Sequence, residues 1–343
     1  MSRKHTLKRP TIYDLAQLSD TSASTVGSVL NGTWEKRRIS KQLAAKILKL
    51  AEEKGYSTNL QARALRTERS GIVGMLVPMY DNRYFSSIAQ TFELKARERG
   101  LFPIVTCTGR DPDLELDAAR SMLDYRVDHL ICTGATDPDR ISELCNANGI
   151  RTINLDLPGS KALSIISDNY NAAIDLTADI IERMEAADAL VGRRMLFIGG
   201  RESDHNTSER VRGFRQAHRA RKLRVNKAHI LTCGYAAQKA EQAFNQYVQK
   251  EGNIPPGIFV NSTISLEGIY NWFQREGINL LDDVALGCFD WDPFAAMIGK
   301  STAMVRQDVP AMIELLFTQL DEPTKKENKI LEIRPEILKP IHV

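Results

Sequence analysis

The chain has 343 residues, of which 43% are hydrophobic and 26% charged, the balance of a soluble globular protein large enough to bury its own core. It contains no run of 18 apolar residues and no apolar signal core after its basic start, which argues against a transmembrane helix and for a cytoplasmic protein. The net charge of +3 hides an asymmetry: residues 1–71 carry 14 Lys+Arg against 6 Asp+Glu, while the remainder is acidic, so a polyanionic partner is expected for the N-terminal part alone. Five widely spaced cysteines without a C-x-x-C pair fit reduced thiols and exclude a disulfide frame or a zinc knuckle.

In chain order, Thr11-Ile-Tyr-Asp14 is a helix-start pattern, a hydroxyl three residues before a carboxylate, and Ile12, Leu15 and Ala16 follow at helical spacing. Ser22 is a second N-cap, with Val26, Val29 and Leu30 as an apolar face and Asn31-Gly32 as the stop. Ser40 starts a third helix whose stripe is Leu43, Ala44, Ile47, Leu48 and Ala51, ended by Lys54-Gly55. Two short helices joined tightly, with a third across them, make a helix-turn-helix. Its second helix offers Ala23, Ser24, Thr25, Gly27 and Ser28 as exposed positions, small enough for close approach to base edges, while Lys36, Arg37, Arg38 and Lys41 suit phosphates. After Tyr56, Asn59 can cap only a short helix, one too short to stand alone in water.

From Gly71 the pattern becomes alternating strands and helices. Ile72–Val77, Phe102–Cys107, His129–Cys132, Thr152–Leu155, Arg194–Ile198, His229–Thr232, Gly257–Val260 and Ala285–Cys288 read as strands. Such alternation implies parallel sheets, whose ligands sit beyond the carboxyl ends of the strands. At those ends stand Asp81, Tyr84, Phe85, Asp156, Arg210, Ser262, Asp290, Trp291 and Asp292. Carboxylates accept from hydroxyls, arginine donates, and aromatic faces cover the apolar side of a ring, so the set suits a polyhydroxylated ligand.

The run PTIYDLAQLSDTSASTVGSVLNG resembles the DNA-binding head of the lac repressor/galactose repressor family, and the resemblance continues along nearly the whole chain through NLDLP, ERVRGF, NSTISLEGI, LGCFDWD and STAMVRQDVPAM. The spacer NGTWEKRRIS and the segment DNRYFSSIA look closest to the fructose repressor (catabolite repressor/activator) branch. The chain departs from the family pattern at Asp20, where a turn glycine is usual, at Gly27, where a serine is usual, and at Ser28, where many members carry an arginine. Leu157 stands where the fructose branch tends to carry a phosphate-binding arginine, which leaves a neutral sugar or sugar acid open beside a sugar phosphate.

The resemblance implies an α/β chain with an all-α head: a helix-turn-helix domain at 1–58, a hinge helix and linker at 59–70, and a two-lobed, periplasmic-binding-protein-like (type I) effector domain at 71–343. The first lobe is expected at about 71–168 plus 300–325, the second at 169–299 plus the C-terminal segment. It implies a homodimer on operator DNA, probed by Thr11, Tyr13, Ser22, Ala23, Ser24, Thr25, Ser28, Asn31 and Arg38 in the head. Asn59, Arg63, Leu65 and Arg66 serve in the hinge, with Leu65 as a wedge in the minor groove. Arg210 and Asp290 are implied as effector contacts, joined by Asp81, Tyr84, Phe85, Asp156, Ser262 and Trp291. No cofactor, metal or membrane partner is expected. The alternatives are a periplasmic-type solute receptor with the same lobes, and an enzyme, for which no phosphate-loop, nucleophile-elbow or metalloprotease motif is present.

Overall fold

Three short helices begin the described chain, and each starts on a side-chain cap. The computed structural model describes residues 10–56, 69–187, 195–279, 284–298, 302–322 and 329–339. Helix α1 (Ile12–Ser19) opens on a capping box: the Asp14 N–H donates to Thr11 Oγ1 (3.3 Å) and the Thr11 N–H donates to Asp14 Oδ2 (2.6 Å). Helix α2 (Ala23–Leu30) is capped by Ser22, which accepts from the Thr25 N–H at 3.1 Å, and α3 (Lys41–Glu53) by Ser40, which accepts from the Leu43 N–H. Leu15, Val26, Val29, Ala44 and Ile47 form the core of the head. Trp34 and Ile39 pack against it and anchor a spacer that its polar composition marks only as loop.

Two features of the head depart from expectation. Asp20 turns the chain between α1 and α2 in the left-handed conformation (φ 58°, ψ 47°), so the turn is made without the glycine usual there, at a modest conformational cost. Gly27 and Ser28 are buried, not exposed. The second half of α2 lies against α1, with Ile12 Cδ1 3.5 Å from where a Cβ on Gly27 would stand, and the Ser28 hydroxyl donates to the Ser24 carbonyl at 2.9 Å. Only the first turn of α2 is therefore presented to solvent.

Residues 1–70 and 71–343 are separate compact units. The second unit contains two six-stranded sheets. The first runs β11-β5-β4-β3-β1-β2, built from β1 (Ile72–Val77), β2 (Phe102–Cys107), β3 (His129–Thr133), β4 (Arg151–Leu155), β5 (Leu163–Ser167) and β11 (Ile330–Ile333), all parallel. The second runs β12-β10-β9-β8-β6-β7, from β6 (Leu196–Ile198), β7 (Ile230–Leu231), β8 (Gly257–Val260), β9 (Ala285–Phe289), β10 (Thr302–Arg306) and an antiparallel β12 (Glu336–Leu338). Pro103 is accommodated because β2 is an edge strand.

The helices are α4 (Arg83–Glu98), α5 (Pro112–Asp124), α6 (Pro138–Ala147), α7 (Asn169–Ala186), α8 (His205–Ala220), α9 (Ala237–Glu251), α10 (Thr263–Arg275), α11 (Pro293–Ile298) and α12 (Val309–Asp321). Asp111-Pro112 and Asp137-Pro138 place an accepting cap and a pre-set φ at the starts of α5 and α6. The chain crosses between the lobes three times, and this corrects the expected lobe boundaries. Thr302–Arg306 pairs with Leu286–Phe289 and so belongs to the second lobe, whereas α12 packs on the first-lobe core and β11 extends the first sheet.

In each sheet one strand has neighbours reached in opposite directions, β1 between β2 and β3, and β6 between β7 and β8. The loops leaving these strands border the natural crevice. In the second sheet the crevice needs glycine: a Cβ on Gly200 (φ 77°) would stand 2.2 Å from Thr207 Oγ1 and 2.5 Å from Asn261 Nδ2.

Candidate functional site

The strand-end residues gather in two adjoining groups between the lobes, an outer cleft and an inner polar cluster. The outer one is an open cleft of about 740 Å³, lined from the first lobe by Asp81 and Tyr84 and from the second by Asp290, Trp291, Asp292 and Gln307. Across it Arg83 Nε of α4 meets Asp292 Oδ2 at 2.7 Å, an ion pair linking the lobes. Burial alone would raise the Asp292 carboxyl, but the N–H groups of Ala295 and Phe294 and the Arg83 guanidinium hold it below the usual carboxylate range.

The inner group is a buried, hydrogen-bonded polar cluster that holds Phe85, Asp156 and Arg210. Asp156 ends β4 and is 5% exposed; Arg210, on α8, is 3% exposed. The Tyr84 hydroxyl and the Asn206 amide each donate to Asp156 Oδ1 at 3.1 Å. Asn169 donates to Asn206 (3.0 Å) and accepts from Arg210 Nε (2.8 Å), and Arg210 Nη1 donates to the Asn261 carbonyl at 2.6 Å. The Arg210 guanidinium lies 3.8 Å from the centre of the Phe289 ring. Asp290, at the end of β9, accepts from Gln307 Nε2 at 2.7 Å.

Electrostatics set these carboxyls apart. Burial raises the Asp156 carboxyl to about 6, against the pull of Arg110 and Arg210, with Asp290 adding repulsion. Burial likewise raises Asp290, opposed by Arg210, the Gln307 bond and Arg110, and it lifts the Tyr84 phenol well above its ordinary value. Both aspartates hold positive φ, 73° at Asp156 and 69° at Asp290, a conformation that costs energy in a residue with a side chain. Strained, buried, mutually repelling carboxylates mark these two strand ends as the candidate ligand site.

Strand-end reasoning missed Arg110, which also has positive φ (59°). It leaves the turn after β2 and stacks between the lobes, 5.4 Å from the ring of Phe85 and 4.5 Å from that of Tyr235 in the second lobe. Its Nε is buried and makes no hydrogen bond among the described residues, nor does Asn261 Oδ1. Asn169, Asn206, Tyr235 and Gln307 were missed as well. Ser262 is buried but bonds only to Ser265 Oγ (3.3 Å) and lines neither the cleft nor the hydrogen-bonded cluster. Trp291 is half-buried in the cleft wall, with the Arg306 guanidinium 6.0 Å from its ring centre.

In the head, Thr11, Ser22 and Ser24 are exposed and Tyr13 is 74% exposed, while Ala23 and Thr25 are partly so. Arg38 is exposed beside Lys36, Arg37 and Lys41. Asn31 is half-buried and donates its amide to the Gly27 carbonyl, closing α2. Asn59, Arg63, Leu65 and Arg66 lie outside the described residues. Among the described residues no group of His, Cys, Asp or Glu is arranged to hold a metal, and no helix is long and apolar enough to cross a membrane.

Residues 70–320 match the family model of periplasmic binding proteins and the sugar-binding domain of the LacI family. The chain belongs to the LacI family of transcriptional regulators. The ribitol operon repressor of Klebsiella aerogenes is 53% identical over 197 residues, 57% of this chain and 73% of that protein. The catabolite repressor/activator of Salmonella typhimurium is 24% identical over 328 residues, 94% of this chain and 95% of that protein, so the fructose-repressor branch is represented at a lower identity. In fold, the lac repressor dimer bound to operator and the anti-inducer ONPF superposes with a TM-score of 0.77 at 18% identity, covering 98% of this chain and 100% of that one. The type I, two-sheet architecture is thus a LacI-family body, its relatives are transcriptional repressors and not enzymes, and the solute-receptor alternative gains no support.

Proposed function

We propose that this LacI-family regulator is a cytoplasmic, homodimeric operon repressor whose effector is a neutral acyclic polyol of the pentitol class, bound at the inner cluster. The observation that carries the reading is the buried cluster of Asp156 and Asp290 with Arg110 and Arg210. Two carboxylates against two guanidiniums leave the cluster without excess positive charge, which suits a neutral ligand and disfavours a phosphate. Vicinal hydroxyls can donate to Asp156, Asp290 and Asn261 Oδ1 and accept from Arg110 and Arg210. The likeness to the ribitol operon repressor supports the same class of ligand, and Leu157 offers no cation for a phosphate.

On the DNA side, the first turn of α2 enters the major groove, with Ser22, Ala23, Ser24 and Thr25 toward base edges and Thr11, Tyr13, Arg38 and the neighbouring lysines on phosphates. The hinge residues Asn59, Arg63, Leu65 and Arg66 enter the minor groove, with Leu65 as the wedge. Ser28 and Asn31 each donate back to a carbonyl of α2, Ser24 and Gly27, and so also support the helix. The effector acts by favouring one lobe arrangement and the operator another.

The test is calorimetric titration of the full chain with ribitol, arabitol, xylitol, ribose and fructose 1-phosphate, followed by the salt dependence of operator binding with and without the ligand that binds. A pentitol is expected to bind and to change operator affinity. Binding of fructose 1-phosphate in place of every pentitol would overturn the ligand assignment.

A further inference from the structure

The second lobe carries a charge feature that neither the cleft nor the head uses. From Arg210 to Lys227 the chain has Arg212, Arg215, Arg219, Arg221, Lys222 and Arg224 and no acidic residue, on a body that is acidic overall. Arg210 points inward to the effector cluster, and Arg221 pairs with Glu182 and Glu185. Arg212, Arg215 and Arg219 converge elsewhere, with Lys227. Ser208, Arg212, Arg215 and Arg219 recur at steps of four, three and four along α8 and form one stripe on its outer side.

That stripe lines a concave groove of about 620 Å³, which Lys227 borders from the loop before β7 and Tyr170 from α7. Arg212 is held in place by Glu209 (2.5 Å) and by the Tyr170 ring, 4.0 Å from its guanidinium carbon. Arg215, Arg219 and Lys227 are exposed and make no ion pair among the described residues. Glu202 is the acidic side chain in the groove wall. With Arg212 paired to Glu209, the three remaining cations face the one carboxylate of Glu202, and a bound anion relieves their repulsion.

We propose that this groove is a second ligand site, distinct from the effector cleft, for a small phosphorylated metabolite carrying at least two negative charges. The groove's volume falls in the range of small-molecule sites, about 300–1,000 Å³. It is concave and short where a nucleic-acid track would be a long stripe. Arginine forks match phosphate oxygens in pairs, Lys227 adds a point charge, and the hydroxyls of Ser208 and Thr232 can donate further bonds. Val211 and Ile230 give the carbon skeleton an apolar wall.

Pyrophosphate is the probe, titrated against full-length protein at constant ionic strength. The basic head also attracts anions, so the readout is the difference between variants. Wild type is expected to gain on the order of 3 °C in melting temperature at tenfold excess over Kd. The double variant R215A/R219A should lose that gain and bind one pyrophosphate fewer per protomer, while R224A, exposed but outside the groove, should keep both. The proposal is overturned if the double variant responds like wild type, or if wild type gains nothing. It is equally overturned if these arginines prove to bind duplex DNA and not pyrophosphate. None of these readouts involves a polyol, so failure of the pentitol reading would leave the result intact.

Discussion

Replacing Arg210 by methionine keeps most of the side-chain volume and removes its charge. In the wild type this guanidinium lies among Asp156, Asp290 and the ring of Phe289 and makes hydrogen bonds of 2.8 and 2.6 Å to Asn169 and to the Asn261 carbonyl. Removing one partner from a buried charged set costs about 3–5 kcal/mol, because the carboxylates stay behind uncompensated. At roughly 2–4 °C per kcal/mol this is a fall of about 6–20 °C in melting temperature at pH 7.5. The loss should shrink in acid. The Asp156 carboxyl sits at about 6 in the folded chain against an ordinary 3.8, so folding favours its protonated form. That contribution is complete below pH 3.8 and gone once pH rises past 6. Without Arg210 both carboxyls rise further, which deepens the penalty at pH 7.5, whereas at pH 5 Asp156 is already largely protonated. There the cost should reduce to the lost hydrogen bonds and ring contact, about 1–3 kcal/mol. Thermal unfolding at the two pH values, without effector, decides the matter. A loss that is equal at both, or below about 1 kcal/mol at pH 7.5, refutes the account of the cluster.

Three further outcomes follow from the same geometry. In the proposed site effector hydroxyls donate to ionised Asp156, so on that reading binding should weaken toward tenfold per pH unit below about 6 and stay level above it; Asp156→Asn should flatten the profile, and a flat wild-type titration between pH 5 and 7.5 contradicts the role proposed for this carboxyl. Gly213→Ala should cost more than about 2 kcal/mol, because its Cβ would stand 2.4 Å from the Tyr170 carbonyl where α7 and α8 meet, and a denaturation midpoint matching wild type would show that the helices can separate at little cost. Ser22→Ala should cost about 1 kcal/mol through loss of the cap on α2 and weaken operator binding while leaving effector affinity unchanged, as measured by operator titration and calorimetry.

The fold was legible wherever one local force acts alone. Ile72–Val77 and Gly257–Val260 are apolar runs between turn residues, and the strands fall where those runs do. The caps at Thr11, Ser22 and Ser40 start helices as their side-chain chemistry requires. Legibility failed where long-range pairing decides. Leu163–Ser167 and Thr302–Arg306 are five-residue segments whose strand character comes from the sheets that receive them, and β11 and β12 lie in opposite lobes although two residues separate them. The site followed the same division. Asp156, Asp290 and Tyr84 announced themselves as polar residues after apolar strands. Arg110 obeys the same rule after β2 and could have been found by it, whereas Gln307 depends on β10, and Asn169 and Asn206 begin helices with nothing local to distinguish them from surface caps. Ser28 illustrates the opposite error: a polar residue read as exposed is buried because α2 is short and most of it is needed for packing.

The three crossings between the lobes are tied to one another and to the ligand cluster. The Ser167 hydroxyl donates to Gln307 Oε1, joining the first crossing to the second, and Gln307 in turn donates to Asp290. The Asp168 N–H donates to the Ile333 carbonyl at 2.9 Å, and Arg334 reaches Asp168 and Asp175, joining the first crossing to the third. A ligand that takes up Asp290 therefore competes for a partner of Gln307, the residue on which the first two crossings meet. Changing the hydrogen bonds there changes the relative free energy of lobe arrangements without any signal having to pass through the sheet cores. The core of each lobe can stay rigid while the crossings shift, which is how an effector of a few heavy atoms can bias a body of this size. The Arg83–Asp292 ion pair also spans the lobes, but it is partly open to solvent and contributes little to the energy of closure.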